Sequence, residues 1–371
     1  MQTEIRNTWQ CAALIVFVLT TLPLQKALAQ GCVPAKGAGM SNAQMAAHDG
    51  GGEGKFYAST AYRWLHSDRH FVGSEEQEER QREGSEVIND SHFVDFAFTY
   101  KWNSRYSTTL AIPLVNHDRS SVVRDSQRTI LKRYHTQSSG LGDIRLLTDM
   151  WIVDPAKDSR GNALVGIGIE LPTGKKDVQD TFDVYNATTR TIGTERRNVD
   201  QSIQPGDGGY AVMLDFYAYR RLTDKLTGFF NGSYSVTPEE KNGVLTRRGN
   251  PFEAEMSIMD SFVARGGFEF KPAARHGLTL SLGARMEGVP VHDLVGGSDG
   301  FRRPGYSVSV EPGAVYSHDD WTATLYVPVS IYRNRTQSVP DKQLSRLTNT
   351  TRHGDAAFAD ALVLFGFNKS F

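Results

Sequence analysis

The sequence predicts an all-β chain folded as a transmembrane, antiparallel up-and-down β-barrel of about twelve strands, with short periplasmic turns and long extracellular loops. Three observations carry that expectation. Alternation of period two keeps returning after residue 55, the mark of strands with unlike faces, whereas no helical periodicity persists there. Short and long connections alternate along the chain, as in a hairpin-built sheet whose two ends meet different compartments. The last run, V-L-F-G-F-N-K-S-F from Val363 to Phe371, alternates up to a final aromatic where a water-soluble domain would fray into polar residues.

The front of the chain reads as export machinery. Hydrophobic residues are 39% of the 371 and the mean hydropathy is -0.41, far from a bundle of membrane helices. The one long apolar run, Cys11 to Leu24, is too short to span a bilayer comfortably, follows Arg6, and precedes the small-x-small triplet Ala27-Leu28-Ala29. Residues 1–29 are therefore expected to be a signal peptide, and Gly/Ala-rich residues 30–55 a flexible periplasmic N-terminal segment. Cys11 leaves with the signal, so Cys32 is the sole thiol of the mature chain and no internal disulfide can form; the residues before it, Ala29-Gln30-Gly31, make a poor lipidation signal.

Strands are expected near 56–66, 92–103, 105–116, 142–153, 163–172, 209–222, 225–236, 257–271, 277–289, 304–318, 321–333 and 356–371. The clearest runs from Leu278 to Glu287, with Leu278, Leu280, Leu282, Ala284 and Met286 on one face and Thr279, Ser281, Gly283, Arg285 and Glu287 on the other. Lipid offers no hydrogen bonds, so a sheet that crosses it must close without edges. The terminal run is then expected beside the first strand, with Val363, Phe365, Phe367 and Phe371 toward lipid and Gly366, Asn368 and Ser370 inward. Trp102, Tyr106, Tyr316 and Trp321 lie near short turns, where rings suit a membrane boundary. A soluble β-sandwich would also alternate, but six loops of about 14 to 36 residues are foreign to a compact soluble domain.

Taking the less apolar face as the lumen, the lining candidates are Asp95, Lys101, Asp143, Arg145, Asp149, Glu170, Asp215, Arg265, Glu269, Lys271, Arg285, Glu287, Glu311 and Asp360. Both signs are present, which suits cross-strand salt bridges that fill the interior as well as a polar path for a small-molecule solute. About twelve strands lie between the eight that side chains fill and the sixteen that leave an aqueous channel, so a narrow route is expected rather than a general porin. Residues 68–90 hold eight acidic side chains and 119–133 five basic ones, as solvated loops do.

Other chemistry is not written in the chain. With 41 basic and 42 acidic residues and a net charge of -1, there is no nucleic-acid footprint. D-G-G-G-E-G-K-F from Asp49 to Phe56 lacks the first Gly of a phosphate loop and the Ser or Thr after its Lys. No nucleophile elbow, zinc-protease helix or metal-spaced Cys/His cluster occurs, and His318-Asp319-Asp320 reads as a turn. No catalytic residue, cofactor or metal is expected.

Four segments in order carry a family resemblance: S-G-L-G-D-I-R-L-L-T-D-M-W with A-L-V-G-I-G-I-E-L-P-T-G-K, then P-G-D-G-G-Y, E-P-G-A-V-Y-S, and L-Y-V-P-V-S-I-Y-R-N-R-T-Q-S. They resemble the outer-membrane family named for the meta pathway of phenol degradation. The resemblance implies an outer-membrane barrel that passes hydrophobic or aromatic compounds, and it supplies no catalytic residue. Gly140, Gly142 and Pro172-Thr173-Gly174 read as punctuation where strands meet loops. Ending on Phe371, with Phe365 and Phe367 in phase, also resembles the terminal signal by which such barrels are recognised by insertion machinery; Lys369 departs from it. The function expected is passive transport of small hydrophobic or aromatic compounds, with a non-transporting structural or surface-interaction barrel, its lumen filled by salt bridges, as the alternative.

Overall fold

The computed structural model of the protein describes residues 55–157, 160–272 and 277–371. The expected signal peptide, nearly all of the 30–55 segment with Cys32, and most of the expected 272–276 turn lie outside the described residues.

Each strand forms because its alternating pattern lets one face be apolar while the other turns inward. The barrel strands are β1 (Phe56–Ser67), β2 (Ile88–Lys101), β3 (Tyr106–Arg124), β4 (Ile144–Trp151), β5 (Gly161–Leu171) and β6 (Ala211–Arg221). They continue as β7 (Leu226–Val236), β8 (Ser261–Phe270), β9 (Leu278–Val289), β10 (Gly305–His318), β11 (Trp321–Tyr326) and β12 (Leu362–Ser370). Every neighbour pair is antiparallel, and the ring of twelve is closed. Closure is by β12 on β1, from Tyr57 opposite Ser370 to Leu65 opposite Leu362. The last amide, Phe371 N–H, donates to the Phe56 carbonyl at 2.8 Å, so the edge raised by the terminal run is fully paired.

Outside, the strands expose Phe96, Phe98, Leu110, Leu146, Ile167, Ile169, Leu214, Phe230, Phe268, Leu282, Phe365 and Phe367. A continuous belt of this kind needs hydrocarbon around it. At the turn end Phe56, Tyr100 and Trp102 pack ring on ring, as do Tyr316, Trp321 and Phe367. Lys369, the departure from the usual terminal pattern, reaches Asp320 in the adjacent tight turn at 3.0 Å.

The loop end differs from expectation in several places. Residues 117–141, expected as a loop, prolong β3 to Arg124 and pair it with Ile130–Leu141 in a projecting hairpin. Its residues carry charge on both faces, so no alternation of hydropathy marks it. Helices α1 (Glu78–Glu83) and α2 (Val339–Thr348) stand where no helical period was read. For α2 the signal was a capping box, Ser338 with Asp341, plus Pro340 in the first turn. Finally, the expected strands 257–271 and 356–371 begin late: Glu255–Ser257 pairs with Lys241–Leu245, and Ala356–Phe358 with Arg69–Val72, in small sheets above the barrel. The acidic and basic loop runs meet there, through Arg133 and Glu86 at 2.7 Å and Arg124 and Glu83 at 3.6 Å.

Candidate functional site

The interior is layered, because inward residues at one height come from successive strands. Nearest the turns, Trp151 lies with its ring centre 6.0 Å from both Tyr217 and Tyr219. Leu164 and Phe229 complete the cluster. Lys101 donates to the Tyr57 hydroxyl at 2.7 Å and lies over the Tyr57 ring.

Above this layer lies a belt of charge. Arg265 reaches Glu311 at 2.7 Å, and Arg285 reaches Glu287 at 2.9 Å and Glu311 at 3.2 Å. The two guanidinium side chains have 0% exposure. Arg265 also lies over the rings of Tyr326 and Phe229. Across the barrel Arg145 pairs with Glu170 at 2.7 Å. Asp149 and Asp215 flank Gly166, opposite which both are registered. A Cβ there would lie 2.3 Å from Asp149 Oδ1, so glycine makes room for the carboxylate. Ser233 Oγ donates to Asp215 at 2.6 Å. Asp95 and Glu269 are buried on the same inner face.

The loop between β5 and β6 turns back into the mouth of the barrel, and three of the sequence motifs hold it there. Asp143, from G-L-G-D, accepts the amide of Gly174 at 3.0 Å and of Asp207 at 3.3 Å. Those amides belong to P-T-G-K and P-G-D-G-G-Y. Gly174 and Gly206 cross so closely that a Cβ on Gly174 would sit 2.8 Å from the Gly206 Cα and nitrogen. Thr173 adds a bond from its hydroxyl to the Gly142 carbonyl at 2.8 Å. The motifs read as strand punctuation are thus one clamp.

Held by this clamp, residues 199–206 reach across the mouth, burying Val199 and Ile203 completely. Asp200 is the latch on the far side. Both its oxygens accept from Arg303 at 2.8 Å, and Arg119 lies at 3.5 Å. Burial alone would raise its carboxyl, but Arg119 and Arg303 hold it well below the usual range. Under the segment lies a cavity of about 110 Å³, bounded by Phe93, Pro113, Val115, Met259 and Val289 on its apolar side and by Arg63, Asp95, His117 and Arg145 on its polar side. For scale, a cavity of about 150 Å³ holds one benzene.

Of the sequence candidates, Asp95, Asp143 and Arg145 meet at this cavity, while Asp149, Glu170, Asp215, Arg265, Glu269, Arg285, Glu287 and Glu311 face the interior elsewhere. Lys271 is a correction: it follows the end of β8 and is exposed. Asp360 is another, since it sits in the cap with Arg69 and Arg333 rather than along the lumen wall. Sequence reasoning missed Arg63, although it is in phase with Ala61 and Leu65 on the inner face of β1; its guanidinium lies 4.0 Å from the Phe93 ring centre. It also missed Arg119, Asp200 and Arg303, which no strand phase could reveal. Asp143, Glu170 and Asp207 bring carboxylate oxygens within 4.8 Å of one another, but Glu170 is engaged by Arg145 and Asp143 by the two amides.

No protein-family model and no curated protein sequence matches the chain. Among solved structures, an outer-membrane channel from Pseudomonas putida F1 is similar, with a TM-score of 0.52 at 11% identity over 86% of this chain and 96% of that one. The fold is that of an outer-membrane barrel. The P. putida toluene transporter TodX superposes more loosely, with a TM-score of 0.44 at 10% identity over 86% of this chain and 90% of that one. So does the translocator domain of the autotransporter NalP from Neisseria meningitidis, at 0.44 and 10% over 90% and 94%. Identities this low speak for the fold alone.

Proposed function

We propose that the protein is a passive outer-membrane channel for small hydrophobic or ring-bearing molecules, its loop end outward and residues 199–206 its constriction. This keeps the likeness to the phenol-pathway family as a reading of function. The observation that carries it is the cavity beneath the inserted segment, half apolar and half polar and of the order of one aromatic ring. The solute path runs from the loops past Asp200, through the cavity, and along the seam between the ion pairs and the aromatic layer. Outer-membrane lipid surrounds the barrel, and the Phe371 strand addresses the insertion machinery. Reconstitution into liposomes tests the reading: flux of phenol-sized solutes is expected, and folded protein that passes neither solute nor current would overturn it.

One observation favours a second reading, a filled barrel that stabilises the envelope or displays its loops. Arg265, Arg285, Glu287 and Glu311 form a buried network with almost no exposure, as an interior built for rigidity would. On that reading replacing Arg265 or Arg285 impairs folding without changing permeability, and no variant of the inserted segment changes permeability either.

A further inference from the structure

On the outer side of the inserted segment the loops enclose a second hollow, of about 390 Å³. That is within the range of roughly 300 to 1,000 Å³ in which small ligands are held. Its lining carries Arg119, Arg196, Arg197, Arg247 and Arg248, against the single carboxylate of Asp200. Asp200 is already shared between Arg119 and Arg303. Glu195 meets Arg247 and Glu253 lies 3.7 Å from Arg248, both from outside the lining. Arg196 and Arg197, on the strand Thr191–Asn198, have no carboxylate partner among the described residues.

The same walls are aromatic. Arg197 lies 4.1 Å from the centre of the Phe182 ring and Arg248 3.6 Å from that of Phe301. Tyr134 stands 5.9 Å from Phe182. An arginine fork matches a carboxylate through two parallel hydrogen bonds, and its flat face, like a phenyl ring, stacks on an arene. Inorganic anions would use the first property and waste the second. Gln201 lines both this hollow and the cavity beneath it, so a molecule released here stands at the constriction.

We infer that the outer hollow is a capture site for small aryl carboxylates. The inference rests on the channel reading above and narrows its substrate class to planar anions carrying a ring. Arg196 and Arg197, which make no ion pair among the described residues, supply the charge and Phe182 the stacking face.

Calorimetric titration of the full chain in detergent tests it without requiring transport. Benzoate is expected to bind at least tenfold more tightly than acetate, phenol or inorganic phosphate, with affinity falling as salt rises. The double variant R196Q/R197Q, on the strand Thr191–Asn198, is expected to weaken benzoate at least tenfold, and F182A to weaken benzoate while leaving acetate unchanged. If the double variant does not fold, F182A alone decides. Benzoate no tighter than acetate or phosphate, or variants that bind it like the parent, would overturn the inference. Should neutral ring compounds cross liposomes while benzoate does not bind, the site fails and the channel stands; bound benzoate without flux of any solute upholds the site and sinks the channel.

Discussion

Glu311 lies between Arg265 and Arg285, accepting from both, and Glu287 takes the second face of Arg285. In a network this deeply buried, removing one partner strands the others. Arg285→Met is therefore expected to cost about 3 to 5 kcal/mol of unfolding free energy, read as a lower urea midpoint in detergent; an unshifted midpoint would show the network to be slack. These charges were legible because Arg285 and Glu287 are two apart on a strand whose other face is leucine. Asp200 was not, since its role depends on arginines from β3 and from the segment before β10. Its depressed carboxyl has a pH consequence. A group of this kind stabilises the fold above its unfolded value, near 3.9, and loses that contribution only as pH falls through the lower folded value. The latch is thus expected to hold from neutral pH to about pH 4, so that conductance stays flat over that range; a titration near pH 6 would contradict it. Asp355, beside His70 and Arg80 at 2.6 and 2.8 Å, follows the same sign: burial pushes it up, and these partners hold it low.

At the scale of elements, the inserted segment is what distinguishes this barrel from a bare tube. Its clamp depends on two backbones in contact at Gly174 and Gly206. Gly206→Ala would bring a Cβ within 2.6 Å of Asp143 Oδ1 and the Gly174 carbonyl, too close to keep. The expected outcome is a displaced segment, severalfold higher conductance and an unchanged barrel by circular dichroism; unaltered conductance would show that the segment does not constrict the path. The motifs were visible in the sequence, but their meeting was not, because a span of more than sixty residues separates Asp143 from Asp207. Helix α2 offers a smaller test. Ser338→Ala removes the acceptor of the Asp341 amide and should cost about 1 kcal/mol, visible as faster proteolysis of residues 339–348. That helix was readable from Ser338-Val339-Pro340-Asp341, whereas the hairpin beyond the membrane, charged on both sides, carries no such mark.

For the molecule as a whole, strand number, strand order and the closing pair were legible because one physical demand, no free edge in hydrocarbon, acts on every strand at once. The turn end follows from aromatic rings and tight connections alone. The cap does not: loops obey no period, and their ion pairs join residues far apart in sequence, as Arg69 does with Asp360. Closure also sets the expected behaviour of the terminus. Without Phe371, whose amide completes the seam with Phe56, the level of inserted barrel in outer membranes is expected to fall severalfold, measured by heat-modifiable migration of membrane fractions; an unchanged level would remove the terminal aromatic from assembly.

Single-channel recording in planar bilayers, comparing the parent chain with Asp200→Asn, bears most directly on the claim that a latched segment constricts a real path. Small, infrequent currents in the parent and clearly larger ones in the variant are predicted. Electrically silent, correctly folded protein in both cases would contradict the account and leave the barrel a filled structural shell.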